Sequence, residues 1–275
     1  MKPRFKAWLH PYSAERAYIK LLADYAKKIT GETERAIKTR GLLRLDGWSD
    51  DLTAVFLELA AQMLGIGETT ILRLPEVYAV INRFNDRQWR LIVKAGTGID
   101  IAQGAGVQRG MFEFPSISDP STIRARFGIG VDVYRSEPWL AVRQTNWVSQ
   151  NTNLIKSIAP QYMSNVEGIV RRGVMDGVSP SELAKQIKAA SNATKNRAQL
   201  IATDQIGKAN GELTRHRQIE LGVKDYTWIT AHDERVRQRH KARDGKEFSW
   251  DNPPSDEHPG MPIRCRCYAS PVFID

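Results

Sequence analysis

Residues 228–272 read WITAHDERVRQRHKARDGKEFSWDNPPSDEHPGMPIRCRCYASPV, and this stretch decides the fold. Tyr226 to Thr230, at its opening, combines aromatic and β-branched side chains and predicts a strand. Asp244-Gly245 is a turn signal, and Lys246-Glu247-Phe248-Ser249-Trp250 behind it predicts a second strand. Asp251 to Met261 is a proline-rich loop, and Cys265 to Val272 predicts a closing strand. The pattern upstream is helical. The fold class is therefore α+β, predominantly helical with a small C-terminal antiparallel β element.

Working back toward the N-terminus, Ser179-Pro180-Ser181-Glu182 has the form of a capping box with proline in the first helical position. It opens a helix carrying Leu183, Ile187 and Ala190. Thr194 is expected to cap a further long helix to about Leu221, which Gly222 ends. Glu137-Pro138 starts a helix to about Ile158, and Pro160 another. Residues 99–135 are punctuated by Gly104, Gly106, Gly110, Pro115, Pro120, Gly128 and Gly130 and read as a long irregular connection. Before it, three helical segments are expected. Ser13 to Lys38 is divisible at Gly31, Asp50 to Met63 is capped by Ser49 and stopped by Gly65 and Gly67, and Pro75 runs to Lys94. The organisation expected is thus a helical region over 1–98, an irregular connection over 99–135, and a C-terminal domain over 136–275.

The chain has 275 residues, 41% of them apolar, which suffices for one large or two modest cores. Its formal net charge of +9 favours polyanionic partners without choosing among nucleic acid, acidic protein surfaces and membrane headgroups. No uninterrupted apolar run of about 18 residues and no secretory leader stand out, so no membrane association is expected. The two cysteines, Cys265 and Cys267, are one residue apart. On a strand that spacing puts their Cα atoms roughly 6.5–7 Å apart, at the far limit for a disulfide. A disulfide scaffold is excluded, and a reducing cytoplasm fits.

His240, His258, Cys265 and Cys267 are four ligands of the types zinc prefers, and two cysteines at i and i+2 on a strand would face one side. A metal there would tie the loop at His258 to the last strand. The competing reading is a buried cluster in which histidines bond Asp233 or Asp244 and the cysteines pack as small apolar groups. Arg235, Arg237, Arg239, Lys241 and Arg243 form the densest basic run, and in an extended segment they would share a face able to contact phosphate. Arg264 and Arg266 would join them if the last strand lies alongside. The alternative is a solvated face paired with Asp233, Glu234 and Asp244.

The ordered set Trp228, Asp233, Arg235, Arg237, His240, Asp244, Gly245, His258, Pro259, Cys265, Arg266 and Cys267 resembles the C-terminal domain of phage head morphogenesis proteins typified by the F protein of phage Mu. The helix from Arg197 to Arg217 is similar to the segment preceding that pattern, so the likeness covers roughly residues 140–275. Residues 82–89 are similar to the helical front of the same proteins. The resemblance implies a minor head protein of a tailed bacteriophage. Such a protein would lie in the capsid interior of the virion after assembly in the host cytoplasm. It would work with the portal protein and with capsid and scaffold proteins, and would handle or eject non-specifically bound double-stranded DNA. It implies a structural role for the motif residues, so neither an enzyme nor a required cofactor is expected, and the zinc read from the residue types stays an option. Read without the family, His240, Asp244 and His258 would suit a metal-dependent nuclease or hydrolase, and Cys265 with His258 a nucleophile and base. No HExxH, Gly-rich phosphate loop or GxSxG accompanies them. A sequence-neutral DNA-binding protein is the remaining alternative.

Overall fold

The computed structural model describes residues 10–43, 52–97 and 137–273. The irregular connection expected over 99–135 and the Ser49 cap lie outside them. The helices are α1 (Tyr12–Thr39), α2 (Leu52–Ile71), α3 (Leu74–Thr97), α4 (Pro138–Lys156), α5 (Ile158–Met175) and α6 (Pro180–Glu220). They precede β1 (Asp225–Ile229), the short α7 (Gln238–Lys241), β2 (Glu247–Ser249) and β3 (Tyr268–Pro271). The expected α+β class is what the chain adopts.

The chain divides into two compact units, one of residues 15–77 and 144–203, the other of residues 1–14, 78–143 and 204–275. In the first, Tyr18, Leu22, Tyr25 and Ile29 make the buried stripe of α1, spaced at three and four residues. That stripe runs on through Thr33 and Ile37, so Gly31 does not divide the helix, as the sequence had suggested it could. Burial outweighs the roughly 1 kcal/mol that glycine costs a helix. The same holds in α2, which continues through Gly65 and Gly67, the two glycines expected to stop it. Tyr18 Oη donates to Asn151 Oδ1 at 2.7 Å, and Asn151 Nδ2 to the Trp147 carbonyl at 2.8 Å. Gly173 lets α5 and α6 approach, since a Cβ there would lie 2.0 Å from Leu183 Cδ2.

Ser179 Oγ accepts the Glu182 amide at 3.3 Å, as a cap should. The helix it opens then runs 41 residues without interruption. The second cap expected at Thr194 does not exist. Thr194 lies inside the helix and returns its hydroxyl to the Ala190 carbonyl at 2.9 Å, the local bond that lets a threonine sit mid-helix. Gly222, at φ 80°, ends α6, with the Val223 and Gly222 amides bonding the Gln218 and Ile219 carbonyls. By length and composition, Val55–Ile92 contains an 18-residue stretch apolar enough to span a bilayer, with mean hydropathy 1.3. It is not one uninterrupted helix, because the turn at Leu72-Arg73 divides it, and 29% of its apolar window is buried.

The second unit holds the sheet, with strand order β2-β1-β3 and both pairings antiparallel. Tyr226 and Trp228 alternate inward on β1 and are fully buried, opposite Phe248 on one side and Pro271 and Ala269 on the other. Gly245, at φ 76°, makes the turn expected at Asp244-Gly245, and its amide bonds the Trp228 carbonyl at 2.8 Å. The sheet rests on the second half of α6 through Gln218. Its amide nitrogen donates to the Ala269 carbonyl at 2.9 Å, and its oxygen accepts the Trp250 indole N–H at 3.1 Å. The last strand is shorter than expected. A turn closed by the Cys265 amide on the Pro262 carbonyl, with Arg264 at φ 56°, leaves both cysteines ahead of β3.

Upstream on the same face of α6, a buried polar network anchors α3. Arg217, 3% exposed, donates to Asn85 Oδ1 and Asn82 Oδ1, each at 2.6 Å, and through two nitrogens to Glu137. Asn85 in turn donates to Asn210 Oδ1 and Thr214 Oγ1, each at 2.9 Å. A charge this deeply buried is tolerable only because all three of its nitrogens are hydrogen-bonded and a carboxylate lies against it.

Candidate functional site

The loop before β3 and the short helix α7 bring three side chains to one point. His240 Nδ1 lies 3.5 Å from Cys267 Sγ and 3.6 Å from Cys265 Sγ, and all three residues are buried. His240 comes from α7, whose single turn points the ring inward. Cys265 and Cys267 flank Arg266 on extended backbone and face the same side, as their spacing predicts. On the ring's other nitrogen, Nε2 is 3.0 Å from Asp256 Oδ2. A carboxylate only accepts, so Nε2 donates its proton to Asp256, and Nδ1 is the nitrogen that faces the two sulfurs.

Asp256 is the residue that sequence reasoning missed. It anchors Arg239 at 2.8 Å and Arg243 by a short ion pair as well as His240. Burial pushes its carboxyl up, but the hydrogen bonds from Arg243 and His240 outweigh that and hold it below the usual carboxylate range. Arg243 also lies over the Trp228 ring at 5.0 Å. Nothing in the run Ser255-Asp256-Glu257 marks this role, because its partners lie 13 to 17 residues upstream.

The two expected carboxylate partners of the histidines do other work. Asp233 receives Arg266 through two nitrogens, at 2.6 and 2.9 Å, and the Arg235 amide at 3.1 Å. The Arg266 bond holds its carboxyl below the ordinary value. Asp244 Oδ1 accepts the Thr230 amide at 2.7 Å and its hydroxyl at 3.0 Å, which closes the turn between β1 and β2. The proposed bonding of His240 or His258 to Asp233 or Asp244 is therefore replaced. His240 bonds Asp256, and His258 takes the Tyr226 hydroxyl on Nδ1 at 2.9 Å.

His258 does not join the His240–cysteine group. It is 2% exposed, packs between Tyr226 and Trp250 at ring distances of 5.6 and 4.8 Å, and also bonds the Trp250 backbone. Burial, then the Arg215 charge, pushes its imidazole below the ordinary histidine range. Pro259 and Gly260 follow it against α6. There the backbones approach so closely that a Cβ on Gly211 would lie 2.9 Å from the Pro259 carbonyl oxygen, and one on Gly207 3.0 Å from that of Cys265.

Cys265 and Cys267 share one proton unequally. The bond from Cys267 and, against burial, that from His240 hold the Cys265 thiol far below its ordinary range. The hydrogen bond that Cys267 gives Cys265, then burial and the charge on Cys265, drive Cys267 up. His240 rises in step, first through its bond with Cys265. A thiol, an imidazole and a carboxylate in line is also the arrangement of a nucleophile with its base and orienting group. Here Cys265 is 5% and His240 2% exposed, so the group is buried rather than open in a cleft.

The basic run does not form one face. Arg239 and Arg243 converge on Asp256, and Arg237 donates to the Ile263 carbonyl at 2.5 Å. Arg266, with a side chain only 10% exposed, is held by Asp233. Arg235, with 71% of its side chain exposed, reaches Asp233 only at 3.7 Å, and Lys241 and Arg264 are exposed. The extended alternative for this segment gives way to a turn at residues 233–236 followed by α7.

Residues 164–270 match the family described as Phage Mu protein F like protein. The chain is 30% identical over 273 residues to an uncharacterised protein of Haemophilus influenzae. The match takes in 98% of this chain and 56% of that protein, so the chain spans little more than half the length of its relative. No solved structure matches it. The matched segment begins in α5 and takes in all of α6, the His240–Asp256–cysteine group and nearly the whole sheet. Over residues 164–270 the chain is thus similar to the phage Mu F-like family.

Proposed function

We propose that this chain is a minor head protein of a tailed bacteriophage, acting in head morphogenesis at the portal vertex. The observation that carries this reading is the family match over residues 164–270, which coincides with α6 and the sheet domain built on it. In this reading the F-like domain is an adaptor held rigid by its internal ion pairs, and the front helices meet portal, capsid or scaffold protein. Of the basic residues around the site, Arg235, Lys241 and Arg264 face solvent outside the Asp256 cluster and would contact packaged DNA through phosphate rather than bases. The net charge of +9 favours residence among phosphates in a filled capsid interior.

The test is assembly with the portal and capsid proteins encoded alongside this chain. Incorporation into procapsids at a few copies each, lost when the portal is omitted, is the expected result. Procapsids that form with portal present and exclude the soluble chain would overturn it.

A further inference from the structure

We propose that His240 Nδ1, Cys265 Sγ and Cys267 Sγ are the protein ligands of a zinc ion, with Asp256 holding the imidazole from Nε2. The distances carry the argument. Zinc bonds nitrogen at about 2.0–2.1 Å and sulfur at about 2.3 Å, so tetrahedral angles place N and S about 3.6 Å apart and the two sulfurs about 3.8 Å apart. The two nitrogen–sulfur separations are 3.5 and 3.6 Å, and all three donor atoms lie within 4.8 Å of one another. The donor set is thus already at ligand spacing.

A purely hydrogen-bonded cluster accounts for less. Nδ1 has a single lone pair, which one S–H fills, yet two sulfurs approach it equally closely. The indole nitrogen of Trp228 supplies an independent sign. Its N–H is buried, meets no acceptor at full hydrogen-bond geometry, and lies toward the Cys267 sulfur, while its ring packs edge-on to His240 at 5.2 Å. A charged Cys267 sulfur bound to metal would be an acceptor for it. Asp256 gives the histidine the carboxylate partner that metal-bound imidazoles ordinarily have. Its own charge is balanced by Arg239 and Arg243, and two thiolates neutralise a divalent ion, so the buried assembly carries little net charge. His258 is not a ligand. Three protein donors leave the fourth position to water, and the ion's role is to staple α7 to the loop before β3.

The experiment is metal analysis of the full chain purified under reducing conditions and incubated with one equivalent of zinc. One zinc per chain, retained through desalting in wild type and in His258→Ala and lost in Cys265→Ser and Cys267→Ser, is expected. Asp256→Asn should weaken retention by about 10–100-fold. Should the cysteine variants fail to fold, cobalt(II) added to wild type decides instead. Sulfur-to-cobalt charge transfer with tetrahedral visible bands supports the site, and an octahedral spectrum without charge transfer overturns it. Failure of folded, fully reduced wild type to keep zinc overturns it too, as does retention in both cysteine variants. None of these readouts depends on procapsid entry.

Discussion

Gly211→Ala is the substitution whose effect the structure determines most directly, because two known terms oppose each other. Alanine in place of glycine inside a helix gains about 0.8–1.0 kcal/mol of propensity. At Gly211 the new methyl would sit 2.9 Å from the Pro259 carbonyl oxygen and 3.4 Å from Gly260 Cα. Both are backbone atoms, so relief requires the loop of His258 to Gly260 to move away from α6. Overpacking of this kind costs roughly 1–3 kcal/mol. The steric term wins, and a net loss of about 1 kcal/mol is expected. Gly31→Ala is the control, since a Cβ there meets nothing within 4 Å and the propensity gain of up to about 1 kcal/mol stands alone. The assay is denaturant and thermal unfolding of both variants, where 1 kcal/mol corresponds to about 2–4 °C for a unit of this size. The two should shift in opposite directions. Gly211→Ala stabilised as much as Gly31→Ala would mean that the loop does not press on α6, and the account of how the His258 loop is positioned would fail.

Four other outcomes are expected. Arg217→Met strands Glu137, Asn82 and Asn85 and should cost about 3–5 kcal/mol of unfolding free energy, whereas a loss below about 1 kcal/mol would show that the network is not holding the unit together. His258 is held below the ordinary histidine pKa, so the unfolded chain takes up its proton first. The stability this contributes is complete above about pH 6.5 and is lost as pH falls through the depressed folded value. Unfolding followed from about pH 7.5 to about pH 5 should therefore show a decline that is shallower in His258→Asn, and identical slopes would refute it. For duplex DNA, removing Arg235 and Lys241 together should reduce the slope of log affinity against log salt by roughly 2. Arg266→Ala, whose partner is Asp233, should act on thermal stability instead.

The helices and the sheet were legible because their signals are local. Tyr226 and Trp228 alternate, Asp244-Gly245 has the chemistry of its turn, and Gly222 ends α6 in a left-handed conformation. The errors are equally physical. Gly31, Gly65, Gly67 and Thr194 were read as breaks from their intrinsic preferences, and in each case the helix continues. For Gly31, the buried stripe on either side is worth more than the local penalty.

The candidate site was half legible for a different reason. Residue types and the single-residue spacing of Cys265 and Cys267 gave three of its members, but pairing depends on where the loops run. The segment from Asp251 to Arg264 reverses direction through left-handed residues at Glu257, Gly260 and Arg264. That path turns His258 toward Tyr226 and delivers Asp256 to α7. Its course is fixed by the contact of Gly260 with Gly207 and Gly211, residues more than 45 positions upstream that no local pattern connects to it. The same delivery settles the basic run. Arg239 and Arg243 would be a phosphate-binding pair if Asp256 were elsewhere; with it between them they fix the histidine's outer nitrogen, and the charge left for a polyanion falls to the neighbours that Asp256 does not reach. Because the glycine contacts on α6 set where that loop runs, they bear on the site as much as the residues in it.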